Sequence, residues 1–223
     1  MYSFKSFVML RIPVLSFIFI VLFQLSSCAN NDIKPMAKES MTKPANLDTI
    51  TLGAGCFWCV EAIFEQLKGV YGAVSGYSGG HVKNPGYKEV CTGNTGHAEV
   101  IQVTYNPEEI TLNEILEVYW NTHDPTTLNR QGADVGTQYR SVIFYHNQEQ
   151  KKFAEDIKNR LSEAKVWSNP IVTQIEPFKN FYPAEDYHQE YYINNTSQPY
   201  CTMVITPKLE KFKKVFADKL KEK

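Results

Sequence analysis

Two cysteines and a glutamate carry most of the reactive chemistry that can be placed in this sequence. Cys56 and Cys59 stand in "GAGCFWCVE", just past a pair of glycines and on either side of two large aromatic residues. A thiolate can be a nucleophile, a metal ligand or half of a disulfide, and its surroundings decide which. The local pattern is strand, turn, helix. Thr49 to Leu52 alternates as a strand does, whereas Phe57, Val60, Phe64 and Leu67 recur at helical spacing, with Ile63 widening the apolar stripe. Gly53 and Gly55 suit a tight turn, and Gly69 suits the left-handed position that ends a helix. Cys56 then falls at the helix N-terminus, where unpaired N–H groups and the helix dipole favour the thiolate. The competing reading makes both cysteines small buried apolar residues.

Glu99 lies in the run Ala98 to Tyr105, which alternates as a strand and puts Glu99 on the same face as Ile101, Val103 and Tyr105. A carboxyl at the head of an apolar face is costly unless paired or protonated. Either it sits half solvated at the frayed strand end, or it faces inward with a raised pKa and holds a proton at neutral pH. Beside Cys56, the inward form makes a nucleophile next to a general acid.

The elements that must position these groups follow from the rest of the pattern. A strand runs from Val70 to Tyr77, then a glycine-rich loop leads to the Glu99 strand. Thr111 and Glu114 form a capping box for a helix with Leu112, Ile115, Leu116 and Tyr119 on its buried face. A loop from His123 to Gln138 precedes a strand from Tyr139 to Tyr145. Asn147 starts a second helix bearing Phe153, Ile157 and Leu161, and Ile171 to Glu176 returns as a strand. The order β-α-β-β-α-β predicts an α+β fold, a two-layer split βαβ (ferredoxin-like) sheet with helices on one face and extra C-terminal elements. The basic, amphipathic C-terminal run reads as a solvated helix face closing the domain. Most of the 13 tyrosines and 13 phenylalanines are expected in the core.

The N-terminal segment speaks to compartment. Lys5 and Arg11 precede an apolar stretch from Ile12 to Leu25 that ends in "LSSC". This resembles a bacterial lipoprotein signal, with residues 1–27 removed, Cys28 acylated and 28–47 a polar tether to a domain over 48–223. The alternative is an uncleaved signal anchor. The lipoprotein reading implies a lipid-anchored, extracytoplasmic protein of the bacterial cell envelope. With 23 basic and 24 acidic residues, composition offers no electrostatic case for nucleic acid.

Six blocks, "GCFWCVE", "GYSGG", "GHAEV", "HDPTTLNRQGADVGTQYRS", "PAEDYHQEYY" and "PYC", occur in the order of the peptide methionine sulfoxide reductase A family, which this chain resembles from about residue 49 to 201. The resemblance implies reduction of the S epimer of methionine sulfoxide, free or in oxidised proteins, without a bound cofactor or metal. It makes Cys56 the attacking thiol, Glu99 the acid and Tyr87 and Tyr139 hydrogen-bond donors to the sulfoxide oxygen, with Asp134 close by. It assigns Phe57 and Trp58 to the pocket for the S-methyl group and gives His188 a supporting role.

Regeneration is less standard, because Cys59 stands where many members have glycine and the cysteine-bearing tail of some members is missing. The resemblance places Cys201 near one family resolving cysteine, with Cys59 the second choice. Cys91 reads as structural. A thioredoxin-like donor is implied, and the protein is expected to be a monomer. Two rival classes remain. One is a lipid-anchored thiol–disulfide oxidoreductase using Cys56 and Cys59, against which Phe57 and Trp58 inside the motif argue. The other is a metal-binding or envelope-interaction lipoprotein, against which single cysteines at 91 and 201 argue.

Overall fold

The computed structural model describes residues 46–222. The expected leader, the lipidation site Cys28 and most of the tether lie outside the described residues. The chain runs β1 (Asp48–Ala54), α1 (Phe57–Phe64), β2 (Val70–Ser78), α2 (Tyr87–Cys91), β3 (Ala98–Tyr105), α3 (Leu112–Thr122), the short strands β4 (Arg130–Gln131) and β5 (Asp134–Val135), and β6 (Ser141–Tyr145). It continues with α4 (Gln148–Glu163), β7 (Gln174–Pro177), β8 (Tyr182–Pro183), α5 (Tyr191–Asn194) and α6 (Thr206–Val215). This is a mixed α+β architecture around a central sheet in the order β7-β6-β1-β3-β2-β8, with β4 and β5 forming a separate hairpin.

Strand alternation divides the sheet into two faces. Ile50, Leu52, Ile101, Val103, Tyr105 and Ile143 enter the main core with residues of α1, α3, α4 and α6. Ala98, Val100, Val142 and Phe144 point the other way and are covered by Phe178 and Phe181. Burying Phe57, Phe64 and Leu67 on the first face contributes roughly 1.5–3 kcal/mol each. That burial fixes α1, and with it the cysteines, against the centre of the sheet. The capping box of α3 forms as expected, with Glu114 N–H donating to Thr111 Oγ1 and both Thr111 N–H and its hydroxyl donating to Glu114 Oε2.

Several expected boundaries shift. Tyr139 lies in a one-turn 3-10 helix, Thr137–Tyr139, and the strand begins only at Ser141. The loop from His123 folds into the β4–β5 hairpin, because Gln131 and Asp134 pair across a turn at Gly132, where φ is +60°. The strand expected from Ile171 starts at Gln174, parallel to β6. On α4, Phe153 is exposed and Gln150 takes a buried place instead, its amide donating to Thr49 O and its carbonyl accepting from His146 N–H. A polar side chain that satisfies two backbone groups is better placed inward than a ring with no partner there.

Gly55 connects β1 to α1 with φ +90°, and a Cβ there would come within 2.6 Å of the Gln131 side chain. Gly55→Ala is therefore expected to cost roughly 1–3 kcal/mol of stability, read as a lower urea midpoint. A midpoint equal to the parent's would show that the turn tolerates a side chain.

Candidate active site

The turn after β1 leaves Cys56 as the N-cap of α1, with ψ 122° outside the helical region. Cys59 N–H and Val60 N–H donate to Cys56 O, so the first helical turn closes on the cysteine's own carbonyl. Across the sheet, β3 delivers Glu99 inward, 1% exposed, and its Oε2 accepts the N–H of Phe57 at 3.1 Å. The frayed, half-solvated alternative for Glu99 is thereby removed. Burial pushes the Glu99 carboxyl up to about 8, against the hydrogen bond from Phe57. At neutral pH it carries a proton.

The expected resting thiolate at Cys56 does not hold. Burial, followed by the neighbouring Cys59 and Glu99, raises the Cys56 thiol well above its ordinary value. The helix-start N–H that could have served an anion at this point is given to Glu99 instead. Cys59 moves the other way, down to about 7, chiefly through the hydrogen bond from the Cys56 thiol, with Lys208 assisting against burial. The pair thus holds its first negative charge on the sulfur with more cationic surroundings and resists a second.

Aromatic residues build the walls. Phe57 is fully buried, 5.9 Å from the Tyr77 ring and 5.0 Å from His188. Trp58 stacks on Tyr191 at 3.6 Å and meets the edge of Tyr200. Its indole N–H donates to His188 Nδ1 at 3.0 Å, which leaves the His188 proton on Nε2. Burial lowers the His188 pKa, in keeping with a neutral, supporting ring. The Tyr87 ring lies 4.5 Å from His188. Burial, with the charge of Glu99 among the secondary causes, pushes the Tyr87 and Tyr139 phenols up, so both remain O–H donors. Asp134 accepts the Tyr200 hydroxyl at 2.8 Å, and that hydroxyl lies 3.8 Å from Cys59 Sγ.

The fold thus gathers Cys56, Cys59, Glu99, Phe57, Trp58, Tyr87, Tyr139, Asp134 and His188 around one corner of the sheet. Cys201 is fully buried in the π-helical turn Cys201–Ile205 that runs into α6. The resolving cysteine implied by the resemblance is therefore packed in the core. Cys91 is exposed and hydrogen-bonded by Tyr87. Three groups were not singled out from the sequence. Glu185 accepts both Tyr77 O–H and Tyr87 N–H at 2.9 Å, and Tyr200 and Tyr191 complete the pocket around Trp58. All three lie inside the "PAEDYHQEYY" and "PYC" blocks, where their value was hidden among many core aromatics. Among the described residues, no group of three or more His, Cys, Asp or Glu converges on a metal position.

Two thiols in contact at a helix start, with a protonated carboxylic acid beside the first, define the chemistry of a thiol-dependent reductase. Comparison with known proteins gives the particular family. The model of the peptide methionine sulfoxide reductase family matches residues 48–220. The peptide methionine sulfoxide reductase MsrA of Saccharolobus solfataricus is 53% identical over 175 residues, covering 78% of this chain and 98% of that protein. The MsrA of Trichodesmium erythraeum is likewise 53% identical, over 174 residues and the same shares. Among solved structures, reduced Mxr1 from Saccharomyces cerevisiae superposes with TM-score 0.65 at 41% identity, over 71% of this chain and 91% of that one. The chain belongs to the peptide methionine sulfoxide reductase family, and its chemistry is thiol-dependent methionine sulfoxide reduction through a disulfide.

The raised Glu99 pKa makes a linkage prediction. The folded protein binds a proton at Glu99 that the unfolded chain releases near its ordinary value of about 4.3. Stability from this group is therefore full below that pH and is lost as pH rises through about 8. Glu99→Gln has no such dependence. Urea midpoints of the two proteins should diverge in favour of the variant between pH 5 and 8.5; parallel curves would place Glu99 in contact with water.

Proposed function

We propose that Cys56 attacks the sulfur of a methionine S-sulfoxide while Glu99 donates its proton to the departing oxygen. The observation that carries this reading is a buried, protonated Glu99 tied to the residue after Cys56. A sulfoxide oxygen is a poor leaving group without a proton, and a dry site strengthens each donor. Tyr87 and Tyr139, kept as phenols, hydrogen-bond the same oxygen, and Asp134 orders the thiol side through Tyr200. Phe57 and Trp58 hold the S-methyl group within reach of the sulfur, with His188 and Tyr191 bracing the indole.

The atoms balance without a cofactor. The thiol and the sulfoxide give a sulfenic acid on Cys56 and free methionine side chain: the sulfoxide sulfur gains two electrons and Cys56 loses them. A second thiol then attacks the sulfenic sulfur, forms a disulfide and releases water. Cys59 is already hydrogen-bonded to Cys56, and Cys56 lies outside the helix, so the bridge needs no unwinding of α1. Cys201, beside Cys59, resolves that bridge in turn, and a thioredoxin-like dithiol restores the reduced enzyme.

The remaining readings concern setting. We read the strands β6-β1-β3-β2, all antiparallel neighbours, as a split βαβ, ferredoxin-like core with β7 and β8 added at its edges. The chain works as a monomer, a domain over 48–223 tethered through 28–47 to an acylated Cys28 in the cell envelope, acting on proteins oxidised there. Sedimentation of the soluble domain and membrane partition of Cys28→Ala test these two statements. The variant should leave the membrane fraction, and retention there would overturn the anchor.

Turnover of each sulfoxide epimer with dithiothreitol tests the chemistry: only the S epimer should be reduced, and Glu99→Gln should slow it on the order of 10²-fold or more. Equal reduction of both epimers would refute the reading. Disulfide mapping after one turnover of Cys201→Ser should find Cys56 joined to Cys59; a free Cys59 in that product would remove it from the relay.

A further inference from the structure

The residue after Tyr139 makes three hydrogen bonds to three separate segments. Arg140 Nη1 donates to Thr137 O at 3.0 Å, within the one-turn helix that carries Tyr139. Its Nη2 donates to Gly96 O at 3.1 Å, three residues before Glu99 and just ahead of β3. Its Nε donates to Gln174 Oε1 at 3.0 Å, on the edge strand β7. All three acceptors are neutral, so the guanidinium serves as a rigid fork and not as an ion-pair partner.

Two further features are built around it. Thr137 Oγ1 donates to Gly93 O, a second tie between the Tyr139 turn and the loop leading to Glu99. Gly79 runs past the guanidinium with φ +84°, and a Cβ there would sit 2.4 Å from the Phe144 ring and 3.1 Å from Arg140 Nη2. Only a glycine leaves the fork its place. Burial lowers the Arg140 pKa, and the charge of Glu176 opposes that shift.

We infer that Arg140 is a positioning residue for the reaction: it sets the Tyr139 phenol against the Glu99 carboxyl so that both donors meet one sulfoxide oxygen. This rests on the role proposed above for Tyr139. Lysine cannot replace the fork, since a single ammonium cannot hold three carbonyl-type acceptors in three fixed directions. Misplacing one donor by about an ångström is enough to cost a large factor in rate.

The test is a double-mutant cycle on single-turnover rates with a methionine sulfoxide peptide, using the parent, Tyr139→Phe, Arg140→Ala and the double variant. Each single variant should be slower by about tenfold or more, with the rate constant moving further than the half-saturating substrate concentration. The double variant should be within about twofold of the slower single one, because the second change removes what is already lost. Added guanidinium should restore part of the Arg140→Ala rate and none of the Tyr139→Phe rate. Losses that multiply, or an Arg140→Ala enzyme altered only in substrate affinity, would overturn the inference. A Tyr139→Phe enzyme as fast as the parent would instead overturn the role of Tyr139. If Arg140→Ala does not fold, Arg140→Lys in the same cycle, read by the same criterion, decides the matter, and parental speed in that variant counts against the fork.

Discussion

The hydrogen bond from Phe57 N–H to Glu99 joins the helix that bears the thiols to the strand that bears the acid, residues 42 positions apart in sequence. A free helix start offers several unpaired N–H groups, and here one of them is answered by a carboxyl from the neighbouring sheet. The bond sets the distance between nucleophile and acid, and it lowers the cost of enclosing Glu99. Around it, Tyr87 comes from the start of α2, Tyr139 from its one-turn 3-10 helix, and Trp58, on α1 itself, meets His188 from a further short turn.

The same enclosure explains why acid and thiols behave as they do. Desolvation alone would neutralise every ionisable group in the corner, and for Glu99 it does so usefully, leaving a proton donor at neutral pH. For the cysteines it would be unhelpful without the contact between Cys56 and Cys59. That contact lets one thiolate form at low cost, on the sulfur next to the Tyr200 hydroxyl and toward Lys208. A pair of thiols is therefore a different object from two thiols, and the helical spacing of three residues is what makes it a pair.

Much of this was legible in the sequence, where local physics and global fold agree. The strand of Glu99 shows period-2 alternation, the helix of Cys56 shows period-3.6 alternation, and Thr111 with Glu114 announces a cap; each appears where expected. The inward face of Glu99 was open between two readings, because alternation gives a side but not depth. The thiolate at Cys56 was misjudged since sequence reveals a helix start without showing which group claims its N–H. The pattern puts Tyr139 in a strand because its own aromatic, β-favouring side chain leads into β6, whereas Gly136, at φ +148°, turns the chain just before it. Tyr200 and Glu185 act through contacts with residues far away in sequence, which no local pattern records.

One feature far from the chemistry bears on how the molecule comes into being. Leu220 bridges to Leu67, Lys68 N–H donates to Lys219 O, Lys221 N–H donates to Gln66 O, and Lys219 Nζ reaches Glu114 at 2.8 Å. The end of α1 is thus closed by residues made some 150 positions later, and α6, with Cys201 at its head, is held by the same closure. During synthesis the far end of the Cys56 helix, at Gln66 to Lys68, must wait for residues 219–221 to close it. Its thiols are then most open to adventitious oxidation in the newborn chain, before the fold that disciplines them exists.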